Sequence, residues 1–356
     1  MDLSDLESYD YKLPEELIRK RGVEPRDSAR LFVYDTAENL VVHDTFANLS
    51  DHLPKGSLLV LNETRVVPAR LVLRKETGGK IEVFVLANEI RNGEDTVPVL
   101  VDRKCVPGMR LSFPDGSYFE VVSQRENRFF VRPVSEMALG ELLDRYGSTP
   151  IPHYLENGNE ADEEMALRSR YQTVFANAGA SVAAPTASLH FTEKVFDRLR
   201  EKGAGAVRIG LDVGLGTFSP LRWEHFETGR LHREHVTVSA EAATRLSEAK
   251  RKGNAIVAVG TTALRTLETV VQTDESGVAR FAAYEGETDI FIRPPHVFLS
   301  ADMLITNFHL PKSSLMLLVE AFLRDKGADR SLVSLYEEAI RESYSFYSFG
   351  DSMLIR

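Results

Sequence analysis

The sequence predicts an α/β protein: a layered α/β domain carrying an inserted six-stranded β-barrel domain. Three observations predict it. Between Ala69 and Val134, six short alternating runs succeed one another, with turn signals between them and no helical period. Outside that stretch, continuous apolar runs such as Leu58–Leu61 and Ala255–Val259 read as strands buried on both faces, the habit of parallel sheets. After Thr192 the texture alternates between strands and amphipathic helices. A chain of 356 residues is long enough for two domains. The expected division puts residues 1–65 and 150–356 in the α/β catalytic domain and 66–149 in the barrel.

In chain order, Pro14-Glu-Glu-Leu opens a short helix with proline in its first turn. Leu31–Tyr34 is an apolar strand, and Phe46, Leu49 and Leu53 recur at helical spacing. The buried strand at Leu58 changes abruptly to Asn62, Glu63, Thr64 and Arg65, at the kind of strand end where α/β proteins collect ligands. Asn62 and Thr64 either meet a ligand there or cap a turn. The alternating runs are Arg70–Arg74, Lys80–Leu86, Thr96–Val101, Met109–Phe113, Tyr118–Val122 and Arg128–Arg132. Thr77-Gly-Gly, Asn92-Gly93, Pro107-Gly108 and Pro114-Asp-Gly116 separate them. Arg65, Arg70, Arg74, Lys75 and Lys80 give the insert and its entrance a basic bias, read either as phosphate contacts or as ordinary surface charge. Met137–Tyr146 is a helix, 147–154 a proline-containing linker, and 156–164 an acidic exposed loop. Arg168, Arg170, Tyr171 and Gln172 suit carboxylate, phosphate or base contacts, or a plain helix surface.

The uncharged stretch Ser181–Thr192 is built of small residues and leads into the amphipathic run Glu193–Lys202. Thr192 is the expected N-cap of that helix. Small side chains ahead of a helix leave room for a ligand, and His190 is the one titratable group inside the loop. Ala206–Val213 is a strand followed by Gly214-Leu-Gly216-Thr217, where glycines admit close approach of a ligand. His232 and Glu234 stand two apart, on one face if extended, as an acid/base pair or joint ligand contact. Ser239–Lys252 is a helix, and the strand Asn254–Val259 ends in Gly260-Thr261-Thr262 at the start of another helix bearing Arg265. That hydroxyl-rich turn suits an anion or a ribose. Asp302–Thr306 ends in Asn307, Phe308 and His309, ahead of the apolar helix Leu315–Leu323. The aromatic tail Tyr344–Phe349 is expected to complete a core.

Bulk properties exclude several classes. No apolar run approaches the roughly 20 residues of a membrane span. A single cysteine, Cys105, rules out an intrachain disulfide or a cysteine-rich metal site, and no H-E-x-x-H is present, so no metal is expected. The acidic start Met1-Asp-Leu-Ser-Asp-Leu-Glu lacks a signal-peptide pattern, and a cytoplasmic enzyme is expected. Net charge is −10, so any nucleic-acid contact must use local basic patches.

Several longer motifs resemble one family throughout and in order. They are Leu59-Val-Leu-Asn-Glu-Thr-Arg-Val-Val-Pro-Ala-Arg70, Arg170-Tyr-Gln-Thr-Val-Phe175, Val182-Ala-Ala-Pro-Thr-Ala-Ser-Leu-His-Phe-Thr192, Val213-Gly-Leu-Gly-Thr-Phe218, Ala258-Val-Gly-Thr-Thr262 and Leu304-Ile-Thr-Asn-Phe-His-Leu-Pro-Lys312. Together they resemble the S-adenosylmethionine:tRNA ribosyltransferase-isomerases of queuosine biosynthesis. The resemblance implies S-adenosylmethionine consumed as ribosyl donor, and tRNA bearing 7-aminomethyl-7-deazaguanine at the wobble position as acceptor. Epoxyqueuosine-tRNA, adenine and methionine would be the products. A monomer is expected. The sulfonium would acidify the neighbouring ribose C5′–H, and His190, His309, His232 and Glu234 are the candidates for base and proton donor, His190 first. Gly214, Gly216, Thr217, Gly260, Thr261, Thr262 and Asn307 would hold ribose and adenine. Arg265 or Arg170 would take the methionine carboxylate or a tRNA phosphate, and Arg65, Arg70 and Lys80 the tRNA backbone. The chain departs from the family at Asp212, where histidine is frequent, and at Ser188, where glycine is usual. Two other readings are an enzyme using S-adenosylmethionine on a free small molecule, and a catalytically silent tRNA-binding protein.

Overall fold

The computed structural model describes every residue except 1–2, 91–92, 152–160, 215, 217–219 and 275–276. Its centre is a nine-stranded mixed sheet. Four neighbouring strands run parallel, in the order Gly205–Leu211, Leu58–Asn62, Ile256–Val259 and Met303–Asn307. Ser352–Ile355 lies antiparallel to the last of these and parallel to Arg30–Asp35, and Leu40–Thr45 closes that edge. Arg230–Val238 and Tyr284–Ile290 extend the other edge as antiparallel strands.

Burial explains the continuous apolar runs. Leu58 and Val60 face a core shared with the helices Ala240–Arg251, Thr261–Val270, Ser314–Asp325 and Leu332–Arg341. Leu59 and Leu61 face the opposite core, with Phe46, Leu49, Phe191, Val195 and Leu199. Side chains alternate across a strand, so a strand covered on both faces has no polar register to fill. Thr192 caps the helix Glu193–Glu201 as expected, its hydroxyl accepting from Val195 N at 3.3 Å.

Six antiparallel strands between Arg70 and Val134 close into a ring. Leu71, Leu73, Ile81, Val83, Val85, Val97, Val99, Phe119, Val121 and Val131 point inward, and the helix Leu139–Tyr146 lays Leu142 and Leu143 on the same core. Outward positions such as Val72 are exposed, the period of two seen in the sequence. The chain enters and leaves this ring at one place. A side chain at Gly147 would lie 1.9 Å from the Pro68 carbonyl, and Arg70 and Ser148 exchange backbone hydrogen bonds of 3.2 and 2.7 Å.

Some local expectations are corrected. The Pro14 segment forms only a 3-10 turn, Glu15–Leu17. The acidic segment read as a loop over 156–164 is helical from Ala161, in Ala161–Arg170, and its earlier part lies outside the described residues. The sequence pattern does not mark the strands Leu40–Thr45 and Ser352–Ile355 or the small antiparallel pair Val271–Thr273 and Ala279–Phe281. Their sequences are short and mixed, and sheet pairing decides them.

Candidate active site

The carboxyl ends of three of the four parallel strands open on one cavity, which Val213, Gly260 and Asn307 line from those ends. One wall is Ala183–Ala187, from the uncharged loop, whose small side chains create the space. Gly260 forms a second wall. Its φ of 90° and ψ of 155° are disfavoured for any residue with a Cβ, and they turn the strand end into the helix Thr261–Val270. Gly260 N donates to Ile305 O at 2.7 Å, so the turn is tied to the neighbouring strand.

Asn307 ends the strand Met303–Asn307 inside this cavity. Its Oδ1 accepts from Thr186 Oγ1 at 2.7 Å, which fixes the amide, while its buried Nδ2 has no partner. Thr262 Oγ1 is likewise buried, unpartnered and on the cavity wall. A buried donor without an acceptor costs about 1–3 kcal/mol, so such groups on a cavity wall mark where a polar ligand belongs. His309 also lines the cavity. Its Nε2 lies 2.8 Å from Thr306 Oγ1, and its backbone is held by the hydroxyls of Tyr336 and Tyr11. Burial pushes its imidazole down to about 3, so it is neutral at physiological pH. Tyr347, at a left-handed φ of 69°, is a lining residue that the sequence reading assigned to a core. The rest of the tail, Tyr344, Phe346 and Phe349, is buried as expected.

A second, smaller cavity adjoins the first, and Leu315 lines both. Here His232 and Glu234 do share one face of the strand Arg230–Val238, as their spacing requires. Glu234 is buried against Arg265, Oε2 to Nη1, and its Oε1 accepts from Gly214 N at 3.3 Å. A Cβ on Gly216 would lie 2.4 Å from His232, so glycine is what lets that ring sit there. Gly214 approaches the ring of strands instead, where a Cβ would lie 2.7 Å from Asn88. Thr217 lies outside the described residues.

His190 is elsewhere. It is 4% exposed, packed in a tilted arrangement against Phe46 with ring centroids 5.2 Å apart, and lines a third cavity with Arg26 and Arg170. Burial pushes it down to about 4, and its Nε2 has no partner. The loop that carries it does shape the main cavity, but the histidine turns to the other side. Asn62 holds strands together: its Oδ1 accepts from Leu211 N and Thr64 N at 3.0 and 3.2 Å, and its Nδ2 donates to Leu211 O at 2.9 Å. Asp212 is a bracket in the same place, accepting from Thr64 Oγ1 at 2.7 Å and from Ala180 N at 3.1 Å. Ser188 is buried with an unpartnered hydroxyl.

The basic candidates are spread. Arg65 and Arg170 are exposed; Arg65 is 3.6 Å from Asp144. Arg70 is held by Glu82 at 3.4 Å, and Lys80 sits at the far end of the same hairpin. Arg168 braces the linker through Glu164 and the Asp144 carbonyl, and Gln172 clasps Val66 at 3.1 and 2.7 Å. Among the described residues, no cluster of three His, Cys, Asp or Glu could hold a metal, and no helix is long and apolar enough to cross a membrane.

Comparison with known proteins gives this site its context. A family model described as Queuosine biosynthesis protein matches residues 6–355. The chain is 43% identical over 351 residues to an S-adenosylmethionine:tRNA ribosyltransferase-isomerase of Aquifex aeolicus, covering 98% of this chain and 99% of that one. Its identity to the protein of that name from Symbiobacterium thermophilum is 44% over 362 residues, with both chains covered completely. The crystal structure of S-adenosylmethionine tRNA ribosyltransferase from Thermotoga maritima aligns with a TM-score of 0.53 at 30% identity, over 98% of this chain and 99% of that chain. A match that runs end to end, through every motif that builds the cavity, places this chain in the queuosine biosynthesis protein family.

Proposed function

We propose that the protein is an S-adenosylmethionine:tRNA ribosyltransferase-isomerase. It would transfer the ribosyl group of S-adenosylmethionine to 7-aminomethyl-7-deazaguanine at the tRNA wobble position and rearrange it to epoxyqueuosine, releasing adenine and methionine. The observation that carries this reading beyond the family is the main cavity, where buried unpartnered groups of Asn307 and Thr262 face space at the ends of parallel strands. They suit the ribose hydroxyls and adenine nitrogens of the donor, with Gly260 and Thr261 supplying close backbone.

The sulfonium makes the C5′–H acidic, and a base within reach starts the rearrangement. His232 is the preferred base, because it is exposed to the adjoining cavity and rests against Gly216. His309, held neutral, is a hydrogen-bonding partner for the adenine or ribose. His190, outside both cavities, takes a structural part.

The proposed architecture is an α/β catalytic domain of residues 1–65 and 150–356 with residues 66–149 as an inserted barrel domain. The paired crossing at Pro68 and Gly147 supports that division. Arg65 and Arg170, both exposed, are the better candidates for tRNA phosphates; Arg70 is engaged by Glu82, and Lys80 would reach only a long substrate. The proposed setting is the cytoplasm and the proposed unit a monomer.

Incubation with S-adenosylmethionine and tRNA bearing 7-aminomethyl-7-deazaguanine tests the proposal. Adenine release together with the mass of epoxyqueuosine in the digested tRNA is the expected result. Adenine release without that tRNA would point to a different acceptor, and no release at all would overturn the assignment.

A further inference from the structure

The second cavity holds a buried cation whose hydrogen bonds the fold does not complete. Arg265 is 5% exposed and uses one end of its guanidinium, Nη1, to meet Glu234. Its other edge, Nε and Nη2, is buried and has no hydrogen-bond partner, and the residue lines the cavity. That edge presents parallel N–H bonds, the geometry that grips a carboxylate with two hydrogen bonds at once. Leaving it bare in a buried place is costly, and the cost is relieved by an anion arriving there.

The rest of the cavity says which anion. Leu231, Ile290, Ile292 and Leu318 line it with hydrocarbon, which suits an alkyl chain leading to the charge. A phosphate on a tRNA backbone would have to bring its strongly hydrated sugar and neighbours into that apolar space. Glu234 already balances Arg265, so a second anion at the same guanidinium needs its own cation close by. An α-amino acid end group carries one.

Resting on the proposed use of S-adenosylmethionine, we infer that the second cavity is the subsite for its methionine moiety, with the Nε–Nη2 edge of Arg265 holding the α-carboxylate. Glu234 is then a positioning residue that orients the guanidinium through Nη1, while Gly214 N steadies Glu234 in turn. The adenosyl part lies in the larger cavity across Leu315, and the sulfonium falls at the junction, within the neighbourhood of His232.

The test is calorimetric binding of three ligands to the intact protein: S-adenosylmethionine, its decarboxylated counterpart, and 5′-methylthioadenosine, which lacks the whole amino-acid chain. Loss of a charge-assisted pair predicts on the order of 10- to 100-fold weaker binding of the decarboxylated ligand by the unmodified protein. Arg265→Lys keeps a cation for Glu234 and removes the two-pronged edge. It should shrink that gap to within about threefold while leaving the affinity for 5′-methylthioadenosine unchanged. If 5′-methylthioadenosine binds but the carboxylate makes no difference in the unmodified protein, the subsite is wrong and the function stands. If Arg265→Lys weakens all three ligands equally, Arg265 only supports the fold and the subsite is wrong. If none of the three ligands binds the unmodified protein, the subsite and the proposed function fall together.

Discussion

Two asparagines end two of the parallel strands, and their contacts predict opposite phenotypes. Asn62 is fully buried and bonded three times to the backbone of Leu211 and Thr64. Asn62→Ala leaves the amides of Leu211 and Thr64 without acceptors. Each buried orphan costs about 1–3 kcal/mol, so the substitution should cost about 2–6 kcal/mol in all. Asn307 makes one contact, accepting from Thr186, and its Nδ2 already has none. Asn307→Ala should therefore cost only about 0.5–1.5 kcal/mol of stability. Its loss falls on the ligand: KM for S-adenosylmethionine should rise about 5- to 20-fold, with the amide donor gone. Urea denaturation compares the two midpoints at constant slope, and initial rates give KM. The reasoning is refuted if Asn62→Ala unfolds at the midpoint of the parent protein while raising KM, or if Asn307→Ala leaves KM unchanged.

Three further outcomes are expected. His190 and His309 are neutral in the folded protein, pushed down to about 4 and about 3, whereas the unfolded chain protonates near the ordinary 6.5. Stability is therefore full above pH 6.5 and is lost as pH falls from there towards 4 and 3. His190→Phe, which preserves the contact with Phe46, should flatten that loss in urea titrations at pH 7.5 and about pH 5, without changing KM. Gly260→Ala has room for its methyl, 3.7 Å from Ala187, but not for its φ of 90°; a loss of about 1–3 kcal/mol with a raised KM is expected from denaturation and kinetics. Glu234→Ala leaves Arg265 as a buried unpaired cation and should cost about 3–5 kcal/mol, measured as a lower urea midpoint.

Much of this architecture was legible in residue patterns because the patterns are local. The ring strands alternate with period two, and turn residues such as Thr77-Gly-Gly mark their ends, so six strands could be placed without a contact map. Leu58–Leu61 is apolar without alternation because helices cover both of its faces. Gly260-Thr261-Thr262 and Asn307 stood out as polar groups at the ends of apolar strands, and the fold does gather them on one cavity. What stayed hidden depends on direction. His190 shares its loop with Ala183–Ala187, yet its side chain leaves on the opposite side towards Phe46. Asn62 looks like any ligand-facing strand end until its partners across the neighbouring strand are known. Tyr347 belongs to a run of aromatics that is otherwise core, and only its left-handed backbone turns it to the cavity. The free edge of Arg265 is likewise a fact of geometry, since the sequence gives the residue but not which of its nitrogens is taken.

The central claim is that the ribosyl group, not the methyl group, of S-adenosylmethionine reaches the tRNA. Two preparations of the donor, one labelled in the ribose and one in the methyl group, decide it when each is incubated with the protein and tRNA bearing 7-aminomethyl-7-deazaguanine. The account predicts ribose label in the tRNA and methyl label in free methionine. Methyl label in the tRNA, with the ribose label left on a released nucleoside, would contradict it.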